Sequence, residues 1–194
     1  MRKNYHKNLC GIDEAGRGPF AGPLVVSGVV LTNDIKELDD SKKLTEKKRE
    51  KLFDIIKKNS IYHIVFTSSK KIDEVGLSIC LQDSIKEIMQ NIEAKQYLMD
   101  GNTTFGIKNL HYLIKADAQI QEVSAASILA KVSRDRYMCE IASSYPKYSF
   151  ETHKGYGTKK HIEAIIKHGY SDIHRRSFKI KQLENIKINE PTLF

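Results

Sequence analysis

The chain has 194 residues, the size of one domain, and its 40% hydrophobic content excludes disorder for the bulk of it. Its longest apolar stretch, residues 24–31, is interrupted by Ser27 and Gly28 and falls far short of the roughly 20 residues that cross a bilayer. The N-terminus carries no apolar signal region, and 32 Lys and Arg against 24 Asp and Glu give a net charge of +8, so a cytoplasmic protein with an anionic partner is expected, nucleic acid first.

In chain order, residues 9–13 form a short apolar run that predicts a strand, followed by the glycine-rich turn Gly16-Arg17-Gly18-Pro19. Residues 24–31 are β-branched and apolar, the pattern of a central strand. Thr45 is placed to cap a helix whose Leu52, Phe53, Ile55 and Ile56 form one apolar stripe. Residues 61–66 read as a strand, and residues 79–92 repeat Ile85, Ile88, Met89 and Ile92 at helical spacing. Two strand-like runs follow at 96–99 and 110–114, then an alanine-rich helix at 123–141 and a shorter basic one at 159–167. Strands that cluster first and then alternate with helices predict an α/β sheet covered by helices, with a helical C-terminal portion. No linker divides residues 1–183, which read as a single domain, and residues 184–194 read as a tail. Cys10, Cys80 and Cys139 are odd in number and form no CxxC pair, so they read as buried thiols, not as a disulfide framework or zinc site.

Basic residues concentrate in two blocks. Residues 42–58 hold eight Lys and Arg against Glu46, Glu50 and Asp54, and residues 153–181 hold eight against Glu163 and Asp172. Two such blocks can form the walls of one nucleic-acid groove. The acids show a different pattern. Asp13, with Glu14 beside it, ends the first strand-like run, Asp100 ends another, and Asp117 follows a third closely. A lone acid at a strand end is usually a turn former or a helix cap. Four in one pocket would repel one another and call for a hard cation bound through oxygen, Mg²⁺ or Mn²⁺. A basic protein with such a pocket suits metal-assisted phosphodiester hydrolysis. No GxSxG elbow and no GxxxxGK[ST] loop occurs, so neither a serine hydrolase nor a P-loop site is expected. The histidines between His153 and His174 lack HxxxH spacing and are not read as ligands.

Seven blocks in order carry a resemblance. They are Gly11-Ile-Asp13-Glu14-Ala-Gly16-Arg17-Gly18, Asp40-Ser41-Lys42-Lys43-Leu44, Met99-Asp100-Gly101-Asn102, Lys115-Ala-Asp117-Ala, Ala125-Ala-Ser127 through Arg134-Asp135, His153-Lys154-Gly155-Tyr156-Gly157-Thr158, and His174-Arg175-Arg176-Ser177-Phe178. Together they resemble the signature of the bacterial ribonuclease HII family. The resemblance implies a ribonuclease H-like fold, a mixed five-stranded sheet flanked by helices with a helical C-terminal region. It implies a metal-dependent endoribonuclease that cleaves the RNA of RNA/DNA hybrids. It also implies nicking 5′ to single ribonucleotides in duplex DNA, leaving 3′-hydroxyl and 5′-phosphate ends.

Carried over by position, Asp13, Glu14, Asp100 and Asp117 are the catalytic acids and bind Mg²⁺ or Mn²⁺, as a pair of ions. Gly16, Arg17 and Gly18 match the loop that reads the ribose 2′-hydroxyl, and Tyr156 matches the tyrosine that contacts the same ribose. Ser41 and Lys42 fall in a further substrate-binding block. The chain is expected to act as a monomer. Ala116 stands where the family usually has glycine, which questions the backbone angle before Asp117. Gln182-Leu183 and the terminal Pro191-Thr192-Leu193-Phe194 loosely resemble peptides that dock on the replication sliding clamp. The competing reading is a non-catalytic nucleic-acid-binding module of the same fold, which would depend on salt but not on divalent ions.

Overall fold

The computed structural model describes residues 8–36, 38 and 44–183. Ser41, Lys42 and the tail at 184–194 lie outside the described residues. The sheet has five strands, β1 (Leu9–Ala15), β2 (Leu24–Leu31), β3 (Ser60–Thr67), β4 (Gln96–Asp100) and β5 (Leu110–Leu113), in the order β3-β2-β1-β4-β5. β1 pairs antiparallel with β2 and parallel with β4, and β4 pairs parallel with β5, so the sheet is mixed. β1 and β2 lie inside the sheet, and their almost continuous burial explains why both read as apolar runs.

Six helices accompany the strands among the described residues: α1 (Glu46–Lys58), α2 (Ser69–Val75), α3 (Leu77–Asn91), α4 (Gln121–Glu140), α5 (Phe150–His153) and α6 (Lys159–His168). The Thr45 side chain accepts the Lys48 N–H and caps α1, which buries Leu52, Phe53 and Ile56. α3 covers one face of the sheet, with Leu81, Ile85 and Ile88 in one core with Cys10, Ile12 and Val26. α4 covers the other face. Its Ala125 and Ala126 share a core with Val29 and with Leu52, Phe53 and Ile56 of α1. The small side chains let the helix approach closely, and a Cβ on Gly11 would lie 2.3 Å from the Glu122 and Val123 backbone. Ser27 Oγ donates to the Ala126 carbonyl at 2.7 Å across the same interface.

Three sequence expectations change, and one helix lies outside them. α2 does not stand out in the sequence because only Ser69 and Ile72 of its seven residues are buried, too few to show a period. Cys10 and Cys80 are buried, but Cys139 is exposed near the end of α4. Ala116 does not take a positive φ. Lys115 takes it instead, at 58°, and Ala116 packs beside Leu9, Ile120 and Val123. Arg175, counted in the second basic block, is buried and is not part of a groove wall.

Candidate metal centre and nucleic-acid pocket

Asp13 is the fifth residue of β1, inside the strand and not at its end as the pattern suggested. The parallel register pairs Ile12 with Met99, so one step further Asp13 runs beside Asp100, the last residue of β4. Asp117 reaches the same place from beyond β5. The left-handed Lys115 turns the chain, Asp100 Oδ1 accepts the Ala116 N–H at 2.8 Å, and Asp117 sits in the short 3₁₀ turn Ala116–Ala118. One carboxylate oxygen from each of Asp13, Asp100 and Asp117 lies within 4.8 Å of the others.

Asp13, Glu14 and Asp100 line one pocket of about 300 Å³, together with Gly16, Arg17, Gly18, Arg49, Ser127, Lys131 and Tyr156. Glu14 stands outside the three-oxygen cluster. Its Oε1 accepts from Arg17 Nη1 at 3.2 Å, and its Oε2 is buried without a hydrogen-bond partner among the described residues. Burial, then the Glu14 charge, pushes the Asp13 carboxyl well above its usual range, against hydrogen bonds from Ser127 and the Glu14 N–H. Burial also raises Glu14, opposed by Arg17. Crowded carboxylates, two of them raised, and an orphaned buried oxygen fit a hard divalent cation, which favours oxygen donors and removes the repulsion.

The loop after β1 forms one wall. Gly16 has φ 95°, and a Cβ there would meet the Pro23 carbonyl at 2.5 Å and the Arg134 side chain, so only glycine closes this turn. A Cβ on Gly18 would meet nothing within 4 Å, which leaves that backbone open to the pocket. Two buried guanidinium groups hold the loop from behind. Arg134 donates to the carbonyls of Pro23, Ala21 and Lys154, and Arg175 donates to those of Gly22 and Arg17. Sequence reasoning does not single out either arginine for this role, because most of their acceptors lie far along the chain. It also misses Arg49, Ser127 and Lys131 at the pocket. Of these, Ser127 and Lys131 lie in a quoted block, while Arg49 is one charge in a basic run.

Tyr156 lines the same pocket, 40% exposed and lying under Lys131 Nζ and the Arg134 guanidinium, 5.7 and 5.5 Å from the ring centroid. Lys159 stays at the surface, 3.9 Å from Glu163, a screened pair of little weight.

Behind Tyr156, His153, His161 and His174 are buried together. Burial lowers all three, His161 to about 4 and His174 to about 3, with His153 lowered in the same direction. A histidine whose folded pKa lies below the unfolded value of about 6.5 binds its proton more readily when unfolded. Its neutral burial therefore costs nothing above pH 6.5, and stability is lost as pH falls from there toward 4. Asp13 and Glu14 act in the opposite sense, because raised carboxyls gain their favoured neutral form as pH falls. Burial raises Glu122 as well, so urea unfolding of an Asp13→Asn, Glu14→Gln, Glu122→Gln protein, with the three raised carboxyls removed, should show a falling midpoint from pH 7 to pH 5. A flat or rising midpoint would contradict the buried neutral cluster.

The family model described as Ribonuclease HII matches residues 10–181. The chain is 66% identical over 179 residues to the Ribonuclease HII of Aliarcobacter butzleri, covering 91% of this chain and 93% of that one. It is 56% identical over 192 residues to the Ribonuclease HII of Sulfurovum sp., covering 99% and 100%. Among solved structures, it is similar to the PCNA:RNase HII complex from Archaeoglobus fulgidus with a TM-score of 0.77 and 25% identity, covering 89% of this chain and 96% of that chain. With the mixed sheet and its acidic pocket, these likenesses define an endoribonuclease of the ribonuclease H class. The chain belongs to the ribonuclease HII family.

Proposed function

We propose that the chain hydrolyses the RNA strand of RNA/DNA hybrids and nicks 5′ to single ribonucleotides in duplex DNA, leaving 3′-hydroxyl and 5′-phosphate ends. The observation that carries this reading is one pocket lined together by carboxylates, the Gly16–Arg17–Gly18 loop and Tyr156. Asp13, Glu14, Asp100 and Asp117 are the groups to hold Mg²⁺ or Mn²⁺. A divalent ion bound there supplies activation of the attacking water and charge for the leaving oxygen. The remaining work falls to the chain. Asp13, in a network with Ser127, and Asp100, with the Ala116 N–H, hold their oxygens in place before substrate arrives. Arg49 and Lys131 offer positive charge at the pocket to the phosphates beside the scissile bond.

Ribose is told from deoxyribose by the 2′-hydroxyl, which both donates and accepts. Backbone groups at Gly16–Gly18 approach it closely because no side chain intervenes at Gly18. The Tyr156 hydroxyl adds to that contact while its ring lies on the next sugar, where a second 2′-hydroxyl would crowd it. The preferred substrate is then the junction at which one ribonucleotide precedes DNA. Tyr156→Phe should lose about 1 kcal/mol of transition-state stabilisation, one hydrogen bond. Tyr156→Ala should lose far more on a junction duplex than on a long hybrid. Equal losses of kcat/KM on both substrates would remove Tyr156 from the reading.

The tail is proposed to carry a clamp-docking peptide, and the chain to work in the cytoplasm. Support comes from the terminal Leu193-Phe194 and from the clamp complex of the Archaeoglobus relative. Among the described residues, no helix is long and apolar enough to cross a membrane. Pull-down with purified clamp should recover the full chain and lose a version ending at Glu190. Equal recovery of both would end this part of the proposal.

A further inference from the structure

The three buried histidines have a proton order that their partners determine. His161 Nδ1 faces the Tyr156 carbonyl at 3.0 Å, and a carbonyl only accepts, so Nδ1 carries the proton. A neutral His161 then has a bare Nε2. That atom lies 3.0 Å from His174 Nε2, which must therefore donate to it. His174 Nδ1 is left bare and accepts the Ser171 N–H at 2.9 Å, with the Ser171 hydroxyl 2.7 Å away able to donate as well. His153 stacks on His161 with ring centroids 4.4 Å apart and is ordered independently. It donates from Nε2 to the Tyr148 carbonyl at 2.8 Å and accepts the Gly155 N–H at Nδ1.

This relay has two ends that matter. One end is the main chain of Tyr156, whose carbonyl accepts from both His161 and the Thr158 N–H. The other is the segment holding His174 and Arg175. Ala21 bridges to His174, the Arg175 N–H donates to the Phe20 carbonyl, and the Arg175 side chain grips the Arg17 and Gly22 carbonyls. The ring-to-ring hydrogen bond thus joins the Tyr156 main chain to this segment behind the pocket, beside the bonds that the Phe20 and Ala21 N–H groups donate to the Gly155 carbonyl and the Arg134 guanidinium shared by Ala21, Pro23 and Lys154.

We propose that His161 and His174 are positioning residues for ribose discrimination, their shared hydrogen bond fixing Tyr156 relative to the Gly16–Gly18 loop. This rests on the reading that Tyr156 contacts substrate. Neither histidine lines the pocket, so both act through the main chain. Because a bare nitrogen is needed at His161 Nε2 and at His174 Nδ1, an aliphatic replacement removes the histidine link while filling the space and leaving the Gly155 and Arg134 bonds in place.

Two measurements test it. In ¹⁵N-histidine NMR of the full-length protein at pH 7, His161 should show the Nδ1–H tautomer and His153 and His174 the Nε2–H tautomer. Finding His161 protonated at Nε2 instead would overturn the relay whatever the role of Tyr156. The second is a double-mutant cycle on junction and long-hybrid substrates. His161→Leu should lower the junction-to-hybrid preference about 3- to 10-fold, the scale of one lost hydrogen bond, and should add nothing in a Tyr156→Ala background. A packing role alone lowers both substrates together and leaves the preference intact, which would overturn the proposal. The same drop in preference in both backgrounds would also overturn it while leaving the Tyr156 reading standing. If Tyr156→Ala by itself leaves the preference unchanged, the Tyr156 reading fails and the positioning role falls with it.

Discussion

Asp13→Asn should reduce kcat/KM by at least about 10²–10³-fold, the scale on which one preorganised charge stabilises a transition state. The neutral amide is a poorer ligand for a hard cation, and the oxygen it weakens lies within 4.8 Å of the Asp100 and Asp117 oxygens. The effect on stability has the opposite sign. The folded-state pKa of Asp13 is raised by burial and by Glu14, so its charge opposes folding at neutral pH. Replacing it with Asn removes that cost, and the urea midpoint of the metal-free protein should rise. Added Mg²⁺ or Mn²⁺ should then raise the midpoint of the wild type much more than that of the variant, since a ligand stabilises the state it binds. Loss of activity with a lower metal-free midpoint would instead mean that Asp13 serves the fold.

Arg134→Met should give the largest loss of stability, on the order of 4 kcal/mol. The side chain is fully buried and its guanidinium serves the carbonyls of Pro23, Ala21 and Lys154. Methionine fills part of the volume but leaves two buried acceptors and the part-buried Lys154 carbonyl without this donor, each buried one costing about 1–3 kcal/mol unless water enters. Those carbonyls belong to the loop after β1 and to the turn before Tyr156, so activity should fall along with stability. Arg134→Lys should recover little, because a single ammonium does not reproduce the planar fork that spans three directions. A urea-derived loss below about 1 kcal/mol for Arg134→Met would show that the loop holds its shape without this support.

The contrast between Asp13 and Arg134 indicates what a sequence can disclose. Strand patterns at 9–13, 24–31 and 96–99 depend on local alternation and burial, and β2 has the bounds its apolar run suggests. Asp13 ends the first of those runs and Asp100 directly follows the third, so their neighbouring positions follow once the strands pair in parallel. Asp117 is harder, since its position depends on a left-handed Lys115 and on a hydrogen bond from Ala116 to Asp100. Arg134 and Arg175 escape a charge count, which treats every arginine as solvated. Most of their acceptors come from a loop more than a hundred residues away, which no local pattern encodes. The histidines show the same limit. Ligand spacing says nothing of their ring-to-ring contact, which is created by packing α6 against the segment at Ser171–His174.

The most direct test uses duplex DNA carrying one ribonucleotide, incubated with the full-length protein in Mg²⁺ or Mn²⁺ and, in parallel, in excess chelator. A single nick 5′ to the ribonucleotide, with 3′-hydroxyl and 5′-phosphate ends, is expected only when the divalent ion is present. Nicking that persists in chelator, or salt-sensitive binding of the duplex without any nick in either condition, would contradict this expectation.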